Sequence, residues 1–370
     1  MRFTCEKNTL VSAISTASRT VAQKSSIPAL EGIYCHAGVE LQLTGFNLET
    51  AITVAVEADI QRTGVCIMPA RLLFDIIRRL PEGQVTVSVE EDTYKVSIKS
   101  GYSNFTISAT SAEDYPELPD VESRSGVTMP QNKLREMISG TIFAVSENQS
   151  RPVLTGCLFE VCDGSISMVA VDGFRLAKRT YRPELPVDRQ MHFVVPSPAL
   201  KEVEKILGEE GEVTFHLGPK HILFRMGKAT LVCRLLEGDF LDWRKVMNTE
   251  KCTVHMVAHV SDLAATLERV GLMITQKQKG PVRCSFGNNV ATFRTATAIG
   301  EAEDQCSIAG NGGEMEIGFN CSYLLDALKA VPSEEVCLEL ENGLRPIFLT
   351  PVTQDEDFSY MVLPVRLRNY

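Results

Sequence analysis

The sequence predicts an α+β fold made of three tandem repeats, each with few helices and many antiparallel strands. Three recurring anchors predict it. A Pro-containing segment occurs as Lys24-Ser25-Ser26-Ile27-Pro28-Ala29-Leu30-Glu31-Gly32, as Asn148-Gln149-Ser150-Arg151-Pro152-Val153-Leu154-Thr155-Gly156 and as Lys277-Gln278-Lys279-Gly280-Pro281-Val282. Its prolines are 124 (152 − 28) and 129 (281 − 152) residues apart. Leu10, Leu134 and Leu263, each opening an amphipathic run, show the same two spacings. A third anchor joins Met68-Pro69-Ala70-Arg71-Leu72-Leu73-Phe74-Asp75 to Val195-Pro196-Ser197-Pro198-Ala199-Leu200-Lys201-Glu202 and to Phe319-Asn320-Cys321-Ser322-Tyr323-Leu324-Leu325-Asp326. The repeats are read as domains over 1–121, 125–247 and 251–370.

Within each repeat the order reads strand, helix, several strands, helix, strands. In the first, Leu10, Ile14 and Ala17 have helical spacing, as do Leu72, Leu73, Ile76, Ile77 and Leu80, taken as the core side of a second helix. Val85, Val87 and Val89 then alternate, followed by Tyr94, Val96 and Ile98 after a turn at Glu91-Asp92. In the second repeat Leu200, Val203, Ile206 and Leu207 are expected to face the core, with strands at Val213, Phe215 and Leu217 and at Ile222 and Phe224. In the third, Val336, Leu338 and Leu340 alternate before Asn342-Gly343, a hairpin-turn pair, and Ile347 and Leu349 follow. The acidic stretches 113–120 and 237–243 read as solvated connections.

A chain of 370 residues exceeds one ordinary core and is 44% hydrophobic, enough to fill several. It has no run of about 20 apolar residues and no signal-like start, so a soluble cytoplasmic protein without membrane partners is expected. Eleven cysteines without a C-x-x-C pair read as reduced, buried side chains. The net charge of −10 argues against a surface that binds nucleic acid everywhere, but leaves room for one basic face. Such a face is suggested by Arg71, Arg78 and Arg79, opposite the apolar stripe of their helix with Asp75 the one acid among them. Lys201 and Lys205 are placed likewise in the second repeat, and the third offers only Lys329 beside Asp326. If the repeats close into a ring with these helices inside, a polyanion is drawn only into the hole.

Signatures of catalysis are missing. Met226-Gly227-Lys228-Ala229 lacks the first Gly and the hydroxyl residue of a phosphate-binding loop, Gly310, Gly312 and Gly313 precede Glu314 rather than a helix, and no G-x-S-x-G occurs. Cys252, His255 and His259 tempt a metal reading, but align with the first strand of the other repeats and are read as strand residues; no metal or cofactor is expected. Asp172 has no partner acid or base nearby in sequence and is read as holding a turn before Gly173.

Three repeats of this length, Arg-Pro-Val-Leu-Thr-Gly at 151–156, Asp-Gly-Phe-Arg-Leu at 172–176 and Leu-Pro-Val-Arg-Leu at 363–367 together resemble the bacterial sliding clamps, the beta subunits of DNA polymerase III. The resemblance covers essentially the whole chain. It implies a ring-shaped, head-to-tail homodimer with helices lining a central hole and sheets outside, encircling duplex DNA without reading its sequence. It implies no catalytic residue, and partners in the polymerase III alpha subunit, the clamp loader complex, the exonuclease-bearing holoenzyme, and other polymerases and repair proteins with clamp-binding peptides.

By position, the resemblance puts Lys24, Arg71, Gln149 and Arg151 on DNA; the helix-face reading adds Lys201. Ser197-Pro198 stand where some relatives carry basic residues and the third repeat's lining is thin, so a looser hold on DNA is expected unless Lys277 and Lys279 compensate. It makes Leu154, Val171, Gly173, Phe174, Arg175, Leu176, Leu241, Val246, Met361, Val362, Leu363, Pro364, Val365 and Arg366 a peptide cleft, where the apolar end of the sequence also completes a sheet. Phe174 replaces a frequent His, Leu241 a frequent Pro, and Arg368-Asn369-Tyr370 extend past the usual stop. Phe105 and Ile107 are implied to meet Leu272 and Met273 of a second copy. Two rival readings compete: a triplicated scaffold that binds proteins but not DNA, and a hydrolase using Asp172 or a metal at His255 and His259.

Overall fold

The computed structural model describes residues 1–121, 126–183, 190–275, 280–353 and 357–367. Lys277, Lys279 and the 368–370 extension lie outside them. The chain forms two compact units, Met1–Leu134 with Pro198–Leu235, and Arg135–Ser197 with Leu236–Tyr370. The middle sequence repeat is therefore shared between them.

Helices start where strands stop. α1 (Lys7–Ala17) follows strand Arg2–Glu6, whose last residue caps it by accepting from Thr9 N at 2.8 Å. α2 (Ala70–Ile77), α3 (Gln131–Ser139) and α4 (Ser197–Ile206) each follow a strand ending in proline, at Pro69, Pro130 and Pro196. α5 (Val260–Gly271) follows His259, and α6 (Cys321–Lys329) is capped by Asn320, which accepts from Ser322 N at 3.0 Å. Leu10, Ile14 and Ala17 are buried as their spacing requires, and so are Leu73, Ile76 and Ile77.

Leu72 is a correction to the expected core face, being 48% exposed. The helix is only eight residues long, its buried arc centres on Leu73, and Leu72 sits about 100° round from that centre. Ile206 is likewise only half-buried while Leu200, Val203 and Leu207 are buried. Arg78 and Arg79 lie beyond the end of α2, both paired with Asp75 at 2.8 and 3.1 Å.

In the first unit one sheet has the order Asp59–Arg62, Arg2–Glu6, Gln84–Val89, Lys95–Ser100, Ser103–Ser108, leaving the last as an open edge. The other has eight strands and joins two repeats where Ala229–Arg234 pairs antiparallel with Thr50–Val56. The second unit carries a ten-stranded sheet, joined in the same manner where Arg175–Tyr181 pairs with Phe358–Val362. The apolar tail is thus an internal strand, flanked on its other side by Ile347–Thr350. Asn342-Gly343 lies within a longer loop between Glu335–Leu340 and Ile347–Thr350, where Asn342 Oδ1 accepts from Leu344 N at 3.0 Å.

The two acidic stretches are more than solvated connections. Tyr115 packs on Leu30, Phe46 and Ala51 and lies 4.8 Å from the Tyr34 ring; burial pushes its phenol up. Phe240 and Trp243 pack into the core of the second unit. All eleven cysteines are free thiols, and burial pushes Cys5, Cys66, Cys157 and Cys233 up to about 12, which makes them poor nucleophiles.

Candidate functional site

The second unit gathers its apolar surface around the seam between the middle and last repeats. Direct register partners in a sheet project from one face. Val171 opposes Leu176, Leu176 opposes Met361, and Met361 opposes Phe348, so one row crosses four strands. Leu158, Val169 and Val194 complete the buried cluster, and Val153, Leu154, Leu236, Phe240, Trp243, Val246, Met247, Cys252 and Leu363 pack on it while still partly open. Of the residues assigned to the cleft from sequence, Leu154, Val171, Leu176, Val246, Met361 and Leu363 meet here. Leu241, Val365 and Arg366 are exposed, and Pro364 is half-buried.

Two assigned residues point the other way. Arg175 and Val362 are register partners one position along from Leu176 and Met361, so the period-two alternation of a strand sends both to the opposite face. Val362 is fully buried there. Arg175 donates through Nε to Asp172 Oδ2 at 2.9 Å and through Nη1 to Asp326 Oδ2 at 2.5 Å, with its guanidinium 4.4 Å from the Tyr323 ring centre and 5.5 Å from that of Phe143. It is held by its own chain.

Asp172 does what a turn residue does. Its Oδ1 accepts from Phe174 N at 2.8 Å and Arg175 N at 3.0 Å, and Gly173 takes φ +93°, a left-handed value that favours glycine. That turn holds up Phe174, which stays 59% exposed although its ring stacks 6.1 Å from Tyr323. Phe174 O accepts from Leu363 N at 2.8 Å, fixing the turn to the tail.

Sequence reasoning missed Trp243, the single tryptophan, by leaving it in a connection. Its Nε1 donates to Glu160 Oε2 at 2.9 Å, and Arg244 and Lys178 lie over its ring at 4.3 and 5.3 Å. Burial pushes the Glu160 carboxyl up, but hydrogen bonds from Arg244 and Trp243 outweigh it and leave it below the usual range. Burial, then Arg182 and Arg244, push the Lys178 ammonium down. The signal available was the aromatic pair Phe240 and Trp243 at helix-like spacing in a run otherwise read as polar.

The polar candidates are all exposed: Lys24, Arg71 and Lys201 in the first unit, Gln149 and Arg151 in the second. Among the described residues none of the four cations has a carboxylate partner, whereas Arg78, Arg79 and Lys205 are paired with Asp75 or Glu202. Arg71 lines a concavity of about 620 Å³ with Gln23, the neighbour of Lys24. Glu202, next to Lys201, reaches Arg19 at 3.5 Å. Loops 24–28 and 148–152 each lead into a 3-10 turn, at Pro28–Glu31 and Pro152–Thr155; Ser25 Oγ accepts from Ile27 N within the first, and Ser146 Oγ from Asn148 N at the start of the second, both at 3.1 Å.

Phe105 is exposed on the open edge strand of the first unit, and Leu272 is 72% exposed just past α5. Ile107 is buried and Met273 half-buried.

Three family models match in sequence order: DNA polymerase III beta subunit, N-terminal domain, over residues 1–119; the central domain over 128–242; and the C-terminal domain over 244–366. A beta sliding clamp from Staphylococcus epidermidis is 28% identical, the match covering 99% of both chains. A DNA polymerase sliding clamp from Bacillus subtilis superposes with a TM-score of 0.93 at 26% identity, covering 100% of each chain. A sliding clamp from Pseudomonas aeruginosa, solved bound to griselimycin, gives 0.93 at 30% identity over 99% of this chain and 100% of that one.

Proposed function

The chain belongs to the DNA polymerase III beta subunit family, and from that premise we propose how its own residues divide the work. It is a sliding clamp without catalysis, a processivity factor that encircles duplex DNA and tethers a polymerase. Its fold is three tandem clamp domains, which we assign to 1–121, 125–247 and 251–370.

The cleft has the apolar row Val171, Leu176, Met361 and Phe348 as its floor, with Leu154, Val246 and Leu363 packed on it as its sides. The observation that carries this reading is a large apolar cluster whose outer members remain open to solvent beside exposed Phe174 and Leu241. A short peptide presenting Leu or Phe anchors and a Gln suits it, since a few buried anchors supply most of the affinity of such contacts. Arg366, exposed and without a carboxylate partner among the described residues, supplies one positive charge at the rim. Gly173, Pro364 and Val365 shape that rim. Arg175 and Val362 act from behind, holding the wall. Ligands of this kind come from the polymerase III alpha subunit, the clamp loader complex, and other polymerases and repair proteins that carry clamp-binding peptides.

Lys24, Arg71, Gln149, Arg151 and Lys201 meet the DNA backbone. Unpaired exposed cations are what sequence-blind phosphate contacts require, and they make binding salt-dependent. Closure comes from a head-to-tail homodimer in which the Phe105 edge strand of one copy meets Leu272 and Met273 of the other, with Ile107 supporting Phe105 from within. An open edge strand carrying an exposed aromatic is otherwise a liability for aggregation. Such a ring works in the cytoplasm on the nucleoid.

The test is equilibrium sedimentation followed by loading onto nicked circular DNA with a clamp loader and then linearisation. A dimer that stays on circles and leaves cut ends establishes topological linkage. A monomer, or equal loss from circles and linear duplex, refutes it in favour of a scaffold that binds proteins alone.

A further inference from the structure

The cleft's row of side chains continues across two further strands into a cluster that clamp function leaves unused. Phe348 opposes Glu339, and Glu339 opposes His255. Cys337 lies two residues along from Glu339, so all three project from the same face of the sheet as the cleft. His255 Nδ1 is 3.8 Å from Glu339 Oε2, and one donor atom from each of His255, Cys337 and Glu339 falls within 4.8 Å of the other two. No other such trio gathers among the described residues. His255 is exposed while Cys337 and Glu339 are half-buried, so the donors are both reachable and backed by protein. The Thr350 hydroxyl donates to Glu339 and also contacts Cys337.

We propose that His255, Cys337 and Glu339 form a site for one divalent transition metal of the zinc class, with water at the remaining position. Metal–ligand distances of about 2.0–2.3 Å place tetrahedral donors roughly 3.3–3.8 Å apart. An N/O pair of this kind spans about 3.4 Å, so the His255–Glu339 separation of 3.8 Å needs to close by about 0.4 Å and the remaining separations by up to about 1 Å, through side-chain rotation. An imidazole, a thiolate and a carboxylate together suit zinc or cobalt; magnesium and calcium take oxygen donors. Thr350 supplies the outer hydrogen bond that orients a ligating carboxylate. Binding forms the metal–sulfur bond and releases the Cys337 thiol proton to solvent, with no change of oxidation state. The site differs from the linear pattern Cys252, His255 and His259: His259 pairs with Glu335 at 3.6 Å and Cys252 packs on the cleft cluster, so only His255 is shared.

The test titrates the full-length, reduced, chelator-stripped protein with Co2+, then competes with Zn2+. One Co2+ per chain should bind, with thiolate-to-cobalt charge-transfer absorption and tetrahedral visible bands that Zn2+ displaces. Cys337→Ser should abolish the charge-transfer band. His255→Gln, at an exposed position that does not threaten folding, should weaken binding by at least ~10-fold, the smallest loss typical of an outer-shell partner. Cys252→Ser should change neither. Absence of stoichiometric binding, a band that survives Cys337→Ser, or one lost in Cys252→Ser would overturn the site.

Discussion

Replacing Arg175 by Met removes a guanidinium that the family resemblance places against a peptide and the structure places against the protein's own wall. Its side chain is 11% exposed and spans Asp172 and Asp326. Stranding a fully buried charge costs about 3–5 kcal/mol, but neither partner is stranded here. Asp172 keeps two backbone N–H donors, and Asp326, 43% exposed, is taken back by water. The charge-assisted bond to Asp172 contributes about 1.5–3 kcal/mol. The Asp326 bond, discounted for solvent, adds about 0–1 kcal/mol, and the stack on Tyr323 and Phe143 about 0.5–2 kcal/mol. Methionine recovers some packing, so the expected cost is about 2–4 kcal/mol. Urea unfolding followed by Trp243 emission measures it in the same unit. A cost below about 0.5 kcal/mol, the range of an ordinary surface change, would refute the ion-pair account. Lost peptide affinity at unchanged stability would make Arg175 a peptide contact after all.

Three further outcomes are expected. Leu363→Ala should weaken a clamp-binding peptide by about 1–3 kcal/mol, roughly five- to 150-fold, without altering the sedimentation of the ring; unchanged affinity in a binding titration removes the tail from the cleft. Because Glu160 has a depressed pKa when folded, the unfolded chain takes the proton first as pH falls: its stabilisation is complete above the ordinary carboxylate value near ~4.3 and is lost as pH drops through the lower folded value. Trp243 emission against pH should show that acid loss in the parent and not in Glu160→Gln; identical profiles would contradict it. Phe105→Arg should shift equilibrium sedimentation from dimer toward monomer, and a persistent dimer would move the interface elsewhere.

The repeats were legible because proline and leucine anchors recur at nearly one period, and the strands because Val85 to Val89 and Val336 to Leu340 alternate strictly. The seams between repeats were not. Nothing local states that Ala229–Arg234 must lie beside Thr50–Val56, since such register is set by packing between residues far apart in order. Leu72 sits at the edge of the apolar stripe, about 100° from Leu73, where its residue type alone does not decide between core and solvent. Arg175 and Val362 were within reach of strand alternation, which separates them from Leu176 and Met361. Trp243 was hidden by acidic neighbours, and the His255, Cys337 and Glu339 trio by lying on two strands distant in sequence.

Strand Phe358–Val362 is made after both of the strands it lies between, Arg175–Tyr181 and Ile347–Thr350. During translation Val171 and Leu176 therefore emerge long before the Met361 that completes their row. A nascent chain halted before that strand leaves the ribosome has most of its fold encoded and no finished docking face. In the cleft proposed above, peptide docking therefore depends on strand Phe358–Val362 being in place.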